Sequence, residues 1–378
     1  MRSHHPGTVD GHADLHSEHG PNRGEHTGRQ VNPTIKVTDL AWLEFEKPDL
    51  ARAETFAGDF GFTVAARMPR ALYLRGSLPG TPCVVIRKGA RTRFVGPTFK
   101  AADESDLHTL AWETNRRVEP LTGPAEGNVV RVHDPSGFAV GVVHTRGDLP
   151  PLPEQPPHTM NFGTDHRRIN ATQRPPSEPA QVQRLGHVVL STPHFQRSLN
   201  WYLDTLGMIV SDFQYVPGQR QRGPALAFIR CDRGTVPADH HTVALHLGPA
   251  AAYSHSAYQV TDLDAVAAGG EYLLHRGYDR AWGIGRHVQG SQIFDYWRDP
   301  DKLTVEHFTD GDLFDNTVEP GWAPLTASGL SQWGPRVSRK FLGANPSPRL
   351  LRDVVTALRD DNEITLSRLV GMAIGLGQ

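Results

Sequence analysis

Three residues have the chemistry of a metal site: His187 in LGHVVL, His255 in SHSAYQV and Glu306 in TVEHFTD. Each lies in a short run of alternating apolar and polar residues, which predicts a β-strand. Alternate side chains of a strand share one face, so three strands can aim these groups into one curved sheet. Two imidazoles and one carboxylate form the set that holds non-haem Fe(II) and leaves adjacent positions open. A glutamate in an apolar strand, as in Val305–Glu306, is costly to bury unless it is paired or metal-bound, which favours ligation.

The elements that must position these residues come in two similar runs. In the first, VTDLAWLEF predicts a strand. PDLARAETFAGDFGF predicts a helix with Leu50, Ala53 and Phe56 on one stripe and Gly61 at its end. ALYLRGS, CVVIRKG, LHTLAWET and VVRVHDPSGFAVGVVH then read as strands. The order returns with RLGHVVLST as a strand and PHFQRSLNWYLDTLG as a helix, with Phe195, Leu199, Tyr202 and Leu206 at helical spacing. The strands ALAFIRCD, TVALHLG, HSAYQVTD, SQIFDYW and LTVEHFTD follow. Leu40 falls on Leu185, Pro48 on Pro193 and Phe56 on Trp201, all at an offset of 145 residues, so the chain holds two copies of one domain.

At that offset His187 falls on Trp42. Matching Ala111 to Ala257 places His255 on Thr109. Matching Asp134–Pro135 to Asp299–Pro300 places Glu306 on Gly141. The second copy carries all three ligand types and the first carries none. The second therefore reads as the copy that does chemistry and the first as its support. Trp201 and Trp297 are expected in the core, and Arg286 is a candidate to help hold an anion.

Composition sets the wider bounds of the 378-residue chain. Residues 1–34 are rich in Gly, His and charge and are expected to be a mobile tail. Six of the 20 histidines fall there (His4, His5, His12, His16, His19 and His26), so the histidine count alone says little about a site. Residues 35–146 form the first domain and 181–312 the second. Between them, 147–180 holds eight prolines and predicts a linker or extended strap. Residues 313–378 are expected as a C-terminal extension, in which LLRDVVTALRDD is an amphipathic helix. The net charge of -2 gives no electrostatic reason to expect nucleic acid or an anionic membrane as partner. Two cysteines, Cys83 and Cys231, are too few for a disulfide framework. No apolar run approaches the roughly 20 residues of a membrane span, and the N-terminus lacks a signal-peptide core, so a cytoplasmic location is expected.

This arrangement resembles the type I extradiol ring-cleavage dioxygenases of the vicinal oxygen chelate superfamily, over roughly residues 35 to 335. The resemblance is specific in the second copy and architectural in the first. It implies an α+β fold of two tandem domains, each built from paired βαβββ modules curled into a half-open barrel. Carried onto this chain, it makes His187, His255 and Glu306 the ligands of Fe(II), with Mn(II) permitted by the same set. It also assigns His241 in HHTVAL as the acid/base histidine beside the metal. Tyr296 in DYWRDP becomes the active-site tyrosine, and His287 in GRHVQGS the histidine that orients substrate. His287 is expected on a loop. The 51 residues from His255 to Glu306, against 32 from Thr109 to Gly141, suggest extra length beside the chemistry.

The implied reaction places both atoms of O2 into a catechol-type aromatic diol, with cleavage outside the two hydroxyls. Relatives of this kind are often homo-oligomers, and one is expected here. Two other readings use the same residues. One is a metal-dependent isomerase or epimerase of the glyoxalase type. The other is a non-catalytic small-molecule binding protein.

Overall fold

The computed structural model describes residues 18–338, 341–342 and 347–377. The alternation in VTDLAWLEFEK forms β1 (Val37–Lys47), which leads into α1 (Leu50–Phe60). Asp49 starts the helix by accepting from the Arg52 backbone N–H at 2.9 Å. Leu50, Ala53, Phe56 and Phe60 bury one face, and Gly61 ends the helix at φ 102°. β2 (Thr63–Met68), β3 (Ala71–Arg75) and β4 (Val84–Lys88) complete a βαβββ module. A second module follows, with β5 (Arg93–Ala101), α2 (Glu104–Glu113), β6 (Val118–Pro120), β7 (Gly127–His133) and β8 (Ala139–Thr145). The eight strands form one open sheet in the order β2-β3-β4-β1-β5-β8-β7-β6. The opening strands β1 and β5 meet antiparallel at its centre, and each runs parallel to the last strand of its own module.

The second half repeats this plan. Its third module is β9 (Arg184–Thr192), α3 (Phe195–Leu206), β10 (Met208–Tyr215), β11 (Leu226–Cys231) and β12 (Val243–Leu247). The fourth is β13 (Ala252–Gln259), α4 (Leu263–His275), β14 (Asp279–His287), β15 (Ile293–Arg298) and β16 (Thr304–Thr309). β9 and β13 pair antiparallel at the centre, as β1 and β5 do. Two later strands extend this sheet, β17 (Gly321–Pro324) beside β10 and β18 (Ser331–Trp333) beside β14. The fold is α+β, with two large mixed sheets built from tandem βαβββ modules. The sheets curve without closing into true barrels.

Three expectations need correction. LHTLAWET is not a strand but lies in α2. Leu107, Leu110 and Ala111 are its buried face, and Asp103 and Asp106 form its capping box. Helix α4 and strand β14 were not anticipated, and β14 ends at His287, so that residue closes a strand rather than riding a loop. Part of the expected tail is anchored. The Gly28 carbonyl accepts from the Val210 N–H at 2.7 Å, and Glu25 takes two bonds from Arg220 at 2.8 and 3.0 Å. Residues 1–17 lie outside the described residues.

The repeated Asp–Pro turn ties the halves together. Asp299 accepts from the N–H groups of Asp301 and Leu303, and Asp134 accepts in the same way from Ser136 and Phe138. Asp299 is also paired with Lys47 of the first half. Among the described residues, the side chain from the second half that bonds to Asp134 is a phenol, Tyr202, at 3.4 Å. Burial with no cation bonded to it pushes Asp134 up to about 6. The folded value lies above the unfolded one, so the protonated form is favoured by folding. Stability from this group is present below about pH 4 and is lost as pH rises through 6, by about 3 kcal/mol in all. Asp134→Asn is therefore expected to remove that slope. Urea unfolding at pH 5 and pH 8 should show the variant gaining on the wild type toward the alkaline end.

Candidate metal centre

Strand pairing brings the sequence-predicted ligands together. β9 faces β13 with His187 opposite Ala257, and β13 faces β16 with Ala257 opposite Glu306. One row therefore runs His187, Ala257, Glu306, and the small side chain of Ala257 leaves room for its neighbours to converge above it. His255, two residues earlier in β13, shares that face. The row continues through Tyr296 of β15, opposite Glu306, to Trp282 of β14.

The donor atoms of His187, His255 and Glu306 all lie within 4.8 Å of one another. Glu306 Oε2 is 3.4 Å from Nε2 of both histidines. That is too long for good hydrogen bonds. It is close to the spacing of neighbouring ligands around one ion at bond lengths of roughly 2.1 Å. Glu306 is fully buried, and neither of its carboxylate oxygens has a hydrogen-bond partner. A buried carboxylate without partners is strongly disfavoured, and burial pushes Glu306 up to about 7. Burial also drives His187 down to about 3 and His255 well below the ordinary imidazole range. Neutral imidazoles are the form that binds metal. A divalent cation between these three groups supplies what each of them lacks, so the residues present fit the ion.

The other predicted residues surround this triad. The His241 ring lies 4.0 Å from that of His187, centroid to centroid. Burial, and then His187, hold it well below its usual range. Tyr296 bonds through its hydroxyl to His287 Nε2 at 2.8 Å, and the other nitrogen of His287 meets the Leu330 carbonyl at 2.8 Å. A carbonyl only accepts, so His287 carries its proton on Nδ1 and Tyr296 donates to Nε2. Burial raises the Tyr296 phenol well above its usual range, so it stays a donor. Arg286 bonds to Asp310 and the Ser291 carbonyl, and Trp297 is fully buried. Trp201 is half-buried and packs against the core.

The first sheet shows why one half has no such centre. Trp42 pairs with Thr98, and Thr98 with Gly141, so Trp42 and Gly141 do hold the places of His187 and Glu306. The place of His255 belongs to Gly96, not to Thr109, which lies on α2. A Cβ at Gly141 would sit 2.7 Å from Thr98 Oγ1, and one at Gly96 would sit 1.8 Å from the Ala139 carbonyl oxygen. The first cup is too tight at both positions for ligating side chains. With this register Gly96 to Gly141 spans 45 residues against 51 from His255 to Glu306, so the stretch between the second and third ligands is only slightly extended.

Residues 184–307, which contain the triad, match the profile of the Glyoxalase/Bleomycin resistance protein/Dioxygenase superfamily. The chain is 31% identical over 319 residues to Metapyrocatechase 2 of Cupriavidus necator, an alignment that covers 82% of this chain and 93% of the relative. It is 24% identical to an iron-dependent extradiol dioxygenase of Rhodococcus jostii, over 79% of this chain and 94% of that protein. Among solved structures, a Mn(II)-bound glyoxalase from Novosphingobium aromaticivorans superimposes with a TM-score of 0.67 at 21% identity, covering 83% of this chain and 95% of that one. That last likeness is one of fold. The fold and the triad define a metal-dependent member of the superfamily. Within it, the chain belongs to the extradiol ring-cleavage dioxygenases.

Proposed function

We propose that the protein cleaves the ring of a catechol-type diol with O2, in the extradiol mode, at a ferrous ion held by His187, His255 and Glu306. The observation that carries this reading is the buried, unpartnered Glu306 carboxylate between two neutral imidazoles, ringed by His241, Tyr296 and His287. A glyoxalase-type isomerase needs the metal set but gives no reason for those three further groups.

The ion would supply Lewis acidity toward the diol oxygens and one-electron chemistry toward dioxygen. The chain's own residues do the rest. Tyr296 and His287 form a connected pair whose phenolic O–H can turn from His287 Nε2 to a diol oxygen, fixing the ring. His241, kept neutral by burial, can hold a proton released by the diol and return it as the ring opens. The closely packed walls around His241 and Tyr296 keep bulk water from the reacting carbons.

In the same reading the enzyme works in the cytoplasm on a small molecule, without nucleic acid. No helix among the described residues is long and apolar enough to cross a membrane. It acts as a homo-oligomer. α5 (Pro348–Ala357) and α6 (Leu366–Gly375) support this, since each exposes an apolar stripe: Leu351 and Val355 on one, Leu366, Val370 and Ile374 on the other. Sedimentation of the intact chain should give a mass above the 41.6 kDa of one copy.

The deciding experiment loads the metal-free protein with Fe(II) under anaerobic conditions, adds monocyclic or bicyclic catechols, then admits oxygen. Stoichiometric O2 uptake with a yellow ring-opened product is expected. Full metal loading without oxygen uptake across the panel, together with isomerisation of a thiohemiacetal, would assign the site to the glyoxalase type instead.

A further inference from the structure

Next to His241 lies a buried pair that the metal and its ligands leave unused. Asp212 sits in the middle of β10 and is 4% exposed, and His240 is fully buried. His240 Nε2 is 2.7 Å from Asp212 Oδ2, and His240 Nδ1 is 3.0 Å from His241 Nδ1. The His240 ring lies near Phe228 and Phe314, at 5.5 and 5.4 Å between centroids. Its backbone is pinned as well. The His240 N–H donates to the Asp312 carbonyl at 2.9 Å, and Ser211 Oγ donates to the His240 carbonyl at 2.5 Å. Arg230 in turn donates to Ser211 Oγ at 2.8 Å.

The donors and acceptors of this chain can be counted. A carboxylate only accepts, so His240 carries its proton on Nε2. Taking His240 as neutral, its Nδ1 is a pure acceptor, whereas an imidazolium there would donate to His241 and turn the His241 proton to Nε2. The partner at 3.0 Å must donate, so His241 carries its proton on Nδ1. The remaining nitrogen of His241, Nε2, is left with a lone pair on the side of its ring away from His240, in a ring whose centroid lies 4.0 Å from that of the ligand His187. We propose that Asp212 and His240 are positioning residues that fix the tautomer of His241 and present its Nε2 to the substrate as a proton acceptor. The logic is that of a carboxylate setting the tautomer of a catalytic histidine, with one imidazole interposed. A pair buried only for stability would need no third nitrogen in line with it.

The role given to His241 rests on the ring-cleavage reading, whereas its tautomer does not, and the test separates the two. The first measurement is the 15N spectrum of histidine-labelled, metal-free protein. His241 is expected with its proton on Nδ1 in the wild type. In Asp212→Leu, which frees His240 to reverse, a mixture or the Nε2–H form should appear. His240→Phe removes the acceptor altogether and should release the Nδ1–H form whether or not Asp212 is present.

The second measurement is turnover of Fe(II)-loaded protein. Asp212→Leu should lower kcat about 10²-fold with KM nearly constant. His240→Phe should lose about as much as Asp212→Leu, and adding Asp212→Leu to it should cost little more, a non-additive cycle. A wild-type His241 in the Nε2–H form overturns the proposal, even where Asp212→Leu does not fold. Additive losses in the two variants would likewise reduce the pair to a structural one. Absence of ring cleavage in the wild type would remove the catalytic reading and leave the spectrum to decide the tautomer.

Discussion

Glu306→Gln is expected to give a folded protein that no longer retains iron and whose ring-cleavage rate falls by about 10³-fold or more. The amide keeps the shape of the side chain and removes the charge that two neutral imidazoles cannot supply. Without metal, the wild-type carboxylate is buried with both oxygens unpartnered. The neutral amide lacks that penalty, so the metal-free variant should be at least as stable as the metal-free wild type. The order reverses when metal is added. Mn(II) or Fe(II) at about 1,000 times its dissociation constant should stabilise the wild type by about 4 kcal/mol and the variant by almost nothing. Metal analysis after gel filtration, thermal unfolding with and without Mn(II), and oxygen uptake read the three effects separately. A variant that keeps a full equivalent of iron would remove Glu306 from the ligand set.

The triad was legible because the sheet obeys its own period. His187, His255 and Glu306 each lie in a run that alternates apolar and polar residues, and the 145-residue offset and the repeated Asp–Pro pair already put His187 on Trp42 and Glu306 on Gly141, as the strand registers do. The failures have physical causes. In α2 the aromatic and threonine content of LHTLAWET outweighed the spacing of Leu107, Leu110 and Ala111, which is helical. That error carried His255 onto Thr109 instead of Gly96. Helix α4 escaped notice because small residues, Gly269 and Gly270 among them, fill its centre, and glycine is a poor helix former. Asp212 could have been found. A carboxylate in the apolar run MIVSDFQY breaks the same rule that singled out Glu306. What the sequence does not hold is the partner, because His240 reaches Asp212 only through the folding of β10 against the loop before β12.

That division of labour also explains why the halves cannot trade roles. In the first sheet the row through Trp42, Thr98 and Gly141 is filled by a tryptophan and by the Thr98 side chain against Gly141, and at Gly96 beside it the Ala139 backbone leaves no space for a Cβ. In the second, Ala257 holds the matching place between the two ligating residues and the row stays open. The halves meet through Lys47 and Asp299 and through His307, whose Nε2 bonds to the Phe60 carbonyl at 2.8 Å. His307 is the neighbour of Glu306 in β16, so the first half braces the strand that carries the third ligand.

His241→Ala separates metal binding from catalysis. The triad geometry does not involve this ring, so iron content and the stabilisation by added metal should match the wild type. Turnover of an unsubstituted catechol should fall about 10²-fold or more, with KM changed only a few-fold, because the lost group acts on the proton and not on the diol's attachment. The size of the loss should depend on the acidity of the diol. A catechol bearing an electron-withdrawing group has hydroxyls that ionise more readily and asks less of a protein base. Its rate should therefore fall by a smaller factor than that of a catechol bearing an alkyl group. Equal losses across such a series would mean that His241 only fills space beside His187. Loss of iron in the variant would place it among the groups that hold the ion, which its bond to His240 through Nδ1 and its absence from the cluster of converging donor atoms argue against.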